Sequence, residues 1–216
     1  MEILKREQAY QKLRDAITFG DLKPGEKLVE LTICRQFDLG RTPMREALRQ
    51  LQMEGYIEAY PNRGAVIRKI TVEELEAVYD VLARLEGYAV EMAAQVMTPK
   101  DIKTLRMFLK GFNRAAKSKD FNQWFDLNAA FHGFFQNASG NQILKEEIGR
   151  LRNRIYRYRA LAFTLTGTID KYLGEHDEIL KALVNGQPAQ AREAMQKHLG
   201  SAKEILARFL RENRWI

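Results

Sequence analysis

Three arginines in the first third of the chain have a spacing that suits phosphate or base recognition. Arg41, Arg45 and Arg49 follow one another at four-residue steps. On a helix this spacing places them along one stripe, and guanidinium groups bind phosphates and guanine edges through pairs of hydrogen bonds. Arginine stripes are also common on solvated helices, so the spacing alone leaves both readings open.

The three histidines of the chain, His132, His176 and His198, could bind a metal ion. Each falls in a different predicted helix, and Asn128 shares a helical face with His132, four residues later. Imidazoles from separate helices can meet inside a bundle, and three of them with an amide oxygen suit a divalent ion such as zinc or nickel. The alternative is that each histidine is an ordinary core residue beside aromatic neighbours such as Phe131.

The arginine stripe lies on a helix that is predicted to begin at Thr42–Pro43, because proline fits the first turn of a helix. Its apolar face consists of Met44, Ala47, Leu48 and Leu51. Two helices, Glu7–Phe19 and Val29–Phe37, are predicted before it. Two strands, 56–60 and 65–68, are predicted after it, around a turn that contains Arg63. This order predicts a winged helix-turn-helix, in which the arginine helix enters the major groove and the turn lies over the DNA backbone or minor groove.

The remaining two thirds are predicted to be helical throughout. Proline, glycine and polar breaks separate six amphipathic helices, at Val72–Val96, Pro99–Lys117, Phe121–Asn137, Gln142–Phe163, Ile169–Asn185 and Pro188–Asn213. Short links between such helices favour an antiparallel bundle. The predicted fold class is therefore mainly α, with a winged helix-turn-helix domain over 1–70 and an all-helical bundle over 71–216.

Composition is consistent with a DNA-binding protein that has a real core. The chain has 216 residues, a hydrophobic fraction of 45% and a formal net charge of +7, which suits a polyanionic partner. Its single cysteine, Cys34, cannot form an internal disulfide, and we expect a small buried residue rather than a reactive thiol. The sequence shows neither a signal peptide nor an apolar run of membrane-spanning length. A cytoplasmic protein without a membrane partner is predicted.

The first third resembles the GntR family of bacterial transcription regulators. The resemblance is carried by Leu22–Leu28, Gly40–Leu48, Glu54–Gly55 and Asn62–Gly64. It implies DNA binding through the matching positions Arg41, Thr42, Arg45, Arg49, Arg63 and Gly64. Two positions depart from the family: Gly40 replaces a serine or threonine that caps the helix and contacts phosphate, and Leu31 replaces an arginine that contacts DNA in some members.

The helical part resembles the effector domain of the FadR-type subfamily. The matching stretches are Asn128–His132, Ala138–Asn141, Glu175–His176 and Ala191–Leu199. Many members of this subfamily bind a divalent metal through an aspartate or asparagine and three histidines, which implies Asn128, His132, His176 and His198 here. A small organic carboxylate binds near the metal in such domains. Asparagine, being neutral, implies a lower metal affinity than aspartate.

The sequence indicates less clearly which positively charged side chain would bind an effector. An arginine often stands three residues before the Leu-Glu pair in the subfamily, but Leu82 takes that position here. The candidates are Arg84, Arg150, Arg154 and Arg157. The alternative is that the arginines around 150–159 form a solvated or dimer-facing face.

Two functions follow from these features. The first is a DNA-binding transcription regulator, with repression favoured, that binds a palindromic operator as a homodimer and responds to a small organic acid. The alternative is a metal-dependent hydrolytic enzyme in a helical bundle. That alternative needs a general base near the metal, but Glu175 and Asp177 are predicted on other faces than His176. It also leaves the first third of the chain without a role.

Overall fold

The computed structural model describes residues 2–19, 21–60, 64–156, 158–159, 165 and 167–212. The chain divides into two compact units. The first unit contains Met1–Thr71 together with Arg152–Ala160. The second contains Val72–Leu151 and Leu161–Trp215.

The first unit is a winged helix-turn-helix. Its elements are α1 (Glu2–Phe19), β1 (Lys27–Leu28), α2 (Glu30–Phe37), α3 (Arg41–Met53), β2 (Ile57–Tyr60) and β3 (Gly64–Ile67). The strands are antiparallel and ordered β1-β3-β2. α1 packs on α3, and Leu13, Met44 and Leu51 are fully buried in their shared core. The helices and the hairpin predicted from the sequence are confirmed.

Two details of this unit differ from the prediction. α1 begins at Glu2 rather than Glu7, since residues 2–6 are mostly good helix formers. β1 was not predicted, because a strand of two residues has no alternation to detect. Its Lys27 and Leu28 pair with Val66 and Ala65 of β3, which makes the wing a three-stranded sheet.

The segment Arg152–Ala160 is part of the first unit, although it follows Thr71 by some eighty residues. Ile155 and Tyr158 are buried, and Tyr156 packs against the core of α1, α3 and the sheet. The Ile70 N–H donates to the Tyr158 hydroxyl at 3.3 Å. The boundary predicted at residue 70 places this segment in the helical bundle, whereas the structure places it in the first unit.

The second unit is a bundle of helices. They are α4 (Val72–Val96), α5 (Pro99–Ser118), α6 (Phe121–Ala138), α7 (Gln142–Arg154, whose last three residues belong to the first unit), α8 (Thr168–Val184) and α9 (Pro188–Glu212). α9 packs along α4 and α8, and α5 packs on α6 and α8. Gly87 permits the close approach of α4 to α9, because an added Cβ would lie 2.9 Å from the Gln196 side chain. The predicted bundle is confirmed.

α7 is shorter than the predicted helix Gln142–Phe163. It ends at Arg154, and the Ile155 N–H bonds the Arg152 carbonyl three residues back at 3.3 Å, which tightens the backbone. The chain enters the first unit at this point. Arg157 and residues 160–163 of the predicted helix lie outside the described residues.

Helix ends elsewhere follow local capping chemistry. Thr98 and Asp101 form a capping box at the start of α5, and the Asp120 side chain accepts the Gln123 N–H at the start of α6. The hydrogen bonds from Thr98 lower the pKa of Asp101.

Of the described helices, none has the length and apolar character that a membrane span requires.

Candidate nucleic-acid interface and metal centre

α3 exposes the residues that were predicted to contact DNA. Arg41, Thr42, Arg45 and Arg49 are all exposed. The opposite side of the helix is buried, through Pro43, Met44, Ala47 and Leu51. Burial of this apolar face fixes the helix in the unit, so the arginine stripe is presented outward on a rigid element.

The start of α3 has no side-chain cap. Gly40 is the N-cap residue, with extended backbone at φ −68° and ψ 159°. An open cleft of about 400 Å³ lies beside it, with Arg35, Asp38 and Arg41 among its lining residues. The first N–H groups of a helix attract anions, so this end of α3 suits a phosphate oxygen.

Arg45 is held by an acid from the preceding helix. Its Nε donates to the Glu30 Oε2 at 2.7 Å, while the Arg45 side chain stays 61% exposed. The hydrogen bond and charge of Glu30 raise the pKa of Arg45. The sequence gives no signal for the role of Glu30, because two helices joined by a short turn have no spacing rule for contacts between them.

The wing supplies the other predicted DNA contacts. Gly64 begins β3 and is exposed, with φ +77°, a conformation that favours glycine. Arg63 lies outside the described residues, so the structure gives no position for it.

The three histidines meet inside the second unit. His132 lies on α6, His176 on α8 and His198 on α9. One ring nitrogen from each lies within 4.8 Å of the others. All three are buried, with His176 fully so. The structure therefore brings together the histidines that were proposed from their spacing.

Two buried glutamates orient the histidine rings. The Nδ1 of His132 lies 2.5 Å from Glu86 Oε2 on α4, and the Nδ1 of His198 lies 2.8 Å from Glu175 Oε2 on α8. A carboxylate accepts, so Nδ1 is the donor in each pair, and in a neutral imidazole the lone pair is then on Nε2. This is the arrangement in which protein carboxylates prepare histidines to bind a metal.

These glutamates were missed as site residues. Glu175 was predicted to point away from the His176 face, and it contacts His198 on α9 instead. The available signal was polarity on a buried face: Glu86 and Glu175 are 2% and 7% exposed, and buried carboxylates require a partner.

Asn128 supplies a further polar atom, one turn before His132 on α6. It is buried, and its Oδ1 has no hydrogen-bond partner among the described residues. An amide oxygen without a partner in the interior is costly, and coordination of a cation would satisfy it. The three imidazoles could hold a divalent metal ion, and an amide oxygen one turn from His132 is the type of atom that could join them.

Aromatic rings surround the histidines. Phe112 stacks on His176 with 4.8 Å between ring centroids, and Trp124 lies 5.8 Å from the same ring. Tyr172 meets the edge of His198 at 5.0 Å. Such walls restrict water, which strengthens electrostatic interactions with any ion held there.

The arginines proposed for effector binding are spread over different environments. Arg84 is exposed on α4, whereas Leu82 is fully buried. Arg150 is exposed and pairs with Glu147 at 2.5 Å. Arg154 belongs to the first unit, and Arg157 lies outside the described residues.

A winged helix-turn-helix that presents arginines on an exposed helix face, followed by a helical unit, defines a class of DNA-binding proteins. Two family models match the chain: "Bacterial regulatory proteins, gntR family" over residues 5–67 and "FCD domain" over residues 77–201. The chain belongs to the GntR family, in the FadR-type group with an FCD domain, and it is a DNA-binding transcriptional regulator.

Sequence similarity to known relatives extends over nearly the whole chain. The HTH-type transcriptional regulator YdhC of Bacillus subtilis (strain 168) is 26% identical over 96% of this chain and 93% of its own length. The HTH-type transcriptional repressor RspR of Escherichia coli (strain K12) is 26% identical over 96% of this chain and 91% of its own length. The family and these relatives are regulators, so the hydrolytic-enzyme alternative is not supported.

Solved structures show the same fold. Escherichia coli McbR/YncC has a TM-score of 0.80 and 22% identity, covering 95% of this chain and 98% of that protein. A GntR regulator from Rhodococcus sp. RHA1 has a TM-score of 0.73 and 22% identity, covering 93% of this chain and 96% of that protein.

Proposed function

We propose that this regulator binds operator DNA through α3 and the wing, and that a metal-bound carboxylate in the helical unit controls that binding. For DNA, the proposal assigns contacts to Arg41, Thr42, Arg45, Arg49, Arg63 and Gly64. The exposure of the α3 arginines opposite a buried apolar face supports this assignment.

The observation that carries the metal part is the convergence of three buried histidines, two of them oriented by buried glutamates. The Nε2 atoms of His132 and His198, a ring nitrogen of His176 and the Oδ1 of Asn128 would hold the ion. This nitrogen-rich set suits zinc or nickel. When bound, the ion supplies a Lewis-acidic positive charge to which a carboxylate oxygen can coordinate.

The charge distribution of the second unit supports an anionic effector at this centre. All four proposed ligands are neutral, so none of them offsets the charge of the ion directly, and Glu86 and Glu175 lie behind two of the rings. Every lysine and arginine described in this unit is exposed or half-buried, and half-buried Arg192 and Lys203 already pair with Glu91 and Asp80. The ion would therefore be the main positive charge in the interior. A small organic acid is the ligand class that this favours.

The assembly proposed for the cell is a homodimer on a palindromic operator. Residues 1–70 would bind DNA, and 71–216 would bind the effector and dimerise, with two α3 helices reading two half-sites. Repression is favoured because the relative RspR is named a repressor. A bacterial cytoplasmic protein, nucleoid-associated when it holds DNA, is the corresponding location.

The first test measures metal content and DNA binding on the same untagged full-length protein. We expect elemental analysis to find close to one divalent ion per chain, and His132→Ala to lose it. Arg84→Ala, which changes an exposed residue of the same unit, is the matched control and should keep its metal. DNA would be a randomised duplex library, with bound sequences counted before and after treatment with a chelator.

The two parts of the proposal fail separately. Wild-type protein without stoichiometric metal, after expression in medium containing zinc and nickel, would refute the metal centre and leave DNA binding standing. A library from which the protein enriches no sequence would refute operator binding. If the protein enriches the same sequences with and without metal, and with and without each of a panel of small carboxylates, the proposed regulation of DNA binding would be refuted.

A further inference from the structure

The ion pair between α2 and α3 points to a role for a residue that was not assigned to DNA binding. The Arg45 Nε donates to the Glu30 Oε2 at 2.7 Å, and both side chains belong to the helix-turn-helix. We propose that Glu30 is a positioning residue for DNA reading, which holds Arg45 so that its two terminal amino groups meet the edge of a guanine. This inference rests on the proposed role of Arg45 in DNA binding.

The geometry leaves the right donors for a base. A guanidinium group has five N–H donors in a planar fork. Glu30 occupies the Nε donor, and the terminal nitrogens remain, with the side chain 61% exposed. The O6 and N7 atoms of guanine accept two parallel hydrogen bonds in the major groove, and a guanidinium group donates such a pair. A fixed plane also avoids part of the rotamer entropy lost when a long side chain binds.

The neighbouring arginines differ from Arg45 in this respect. Arg41 and Arg49 are exposed, and neither side chain has a hydrogen bond or ion pair with a residue that the structure describes. Arginine side chains without such a partner suit phosphates, which accept from many directions and carry no sequence information. The stripe therefore divides into one oriented arginine and two adaptable ones, which predicts base selectivity at Arg45 and backbone contacts on either side.

A role limited to folding makes a different prediction. Glu30 opens α2, where an acid interacts favourably with the helix N-terminus. Its loss through that role alone would lower thermal stability and weaken binding to every sequence alike. A positioning role instead changes the preference at one base pair. Removal of a carboxylate near DNA also raises affinity for all sequences. Loss of Glu30 should therefore lower the preference for one base pair while it raises the overall affinity for DNA.

The experiment selects binding sites from a random duplex library with full-length wild-type, Glu30→Ala and Arg45→Ala proteins. Titrations then use the selected duplex and its three variants at the guanine that Arg45 reads. We expect Arg45→Ala to lose about 5- to 150-fold of the preference for that guanine, the discrimination of a bidentate pair. Glu30→Ala should lose part of the same preference, and nothing further when combined with Arg45→Ala. Glu46→Ala, with the same charge change on α3, should keep it.

Each outcome bears on a separate part of the inference. If Glu30→Ala keeps the full guanine preference while Arg45→Ala loses it, the positioning role is wrong and the DNA role of Arg45 stands. If Arg45→Ala loses no preference at any position, base reading by Arg45 is wrong and the inference with it. If wild-type protein selects no sequence, the proposed function fails. Melting temperatures of all variants show whether a lost preference reflects unfolding.

Discussion

Among the residues around the histidines, Asn128 decides how much positive charge a bound ion would keep. Its Oδ1 is a buried acceptor without a partner among the described residues, and it is neutral, like the imidazoles. The nearby negative charges, Glu86 and Glu175, lie behind His132 and His198 rather than facing the proposed ion directly. A site of this composition would bind its metal less tightly than an aspartate-bearing one, but would attract an anionic effector more strongly.

Asn128→Asp separates these two effects, because it adds one negative charge without changing the shape of the side chain. We expect metal affinity to rise about tenfold, or about 1.4 kcal/mol, and carboxylate affinity of the metal-loaded protein to fall. Competition with a chelator of known affinity measures the first, and calorimetric titration with small carboxylates measures the second. Asn137→Asp, an exposed change on the same helix, is the control. An aspartate variant with unchanged metal affinity would remove Asn128 from the ligand set.

At the scale of an element, the start of α3 shows how one substitution alters a helix terminus. Gly40 has the backbone conformation of an N-cap but provides no oxygen for the free N–H groups. The space for a side chain exists, since an added Cβ would meet only the Pro43 ring, at 3.7 Å. A serine there could cap the helix and reach a phosphate.

Gly40→Ser is therefore expected to raise the free energy of unfolding by a few tenths of a kcal/mol. It should also strengthen binding to all DNA sequences, because a phosphate contact carries no base information. Chemical denaturation and DNA titration at several salt concentrations measure the two effects. Gly174→Ser, at an exposed and uncrowded position in α8, should leave DNA binding unchanged. Weaker DNA binding by the serine variant would mean that this helix end does not approach a phosphate.

Elements with local signals were predictable from the sequence, and contacts between elements were not. Val72–Val96 matches the observed α4, and Thr98 and Pro99 mark the observed start of α5, because caps and prolines act within one turn. The histidine cluster was also accessible, since its residue types are rare in this chain. The partners of Glu30 and Glu86 were not, because they lie on other helices and no sequence spacing relates the two members of each pair.

At the scale of the whole molecule, the first unit is not a continuous stretch of chain. Tyr156, far along the sequence, packs in it with its ring 5.7 Å from Tyr56 in an edge contact. The Arg14 guanidinium lies 5.6 Å from the Tyr156 ring. Burial also raises the pKa of Tyr56, which stays protonated in this cluster. The DNA-binding unit thus contains residues that are synthesised long after α3.

Tyr156→Ala should destabilise the first unit by about 1–3 kcal/mol, through the loss of an aromatic pair, a cation–π contact and half-buried ring area. Hydrogen exchange of α1 and β2 amides is the appropriate measurement, because it reports local stability within a larger protein. Tyr88→Ala, at a tyrosine that is 48% exposed on α4, should leave that exchange unchanged. A fragment ending at residue 71 lacks the whole segment and should exchange faster still. Equal protection of α1 in the fragment and the full chain would show that the first 71 residues fold without residues 152–160.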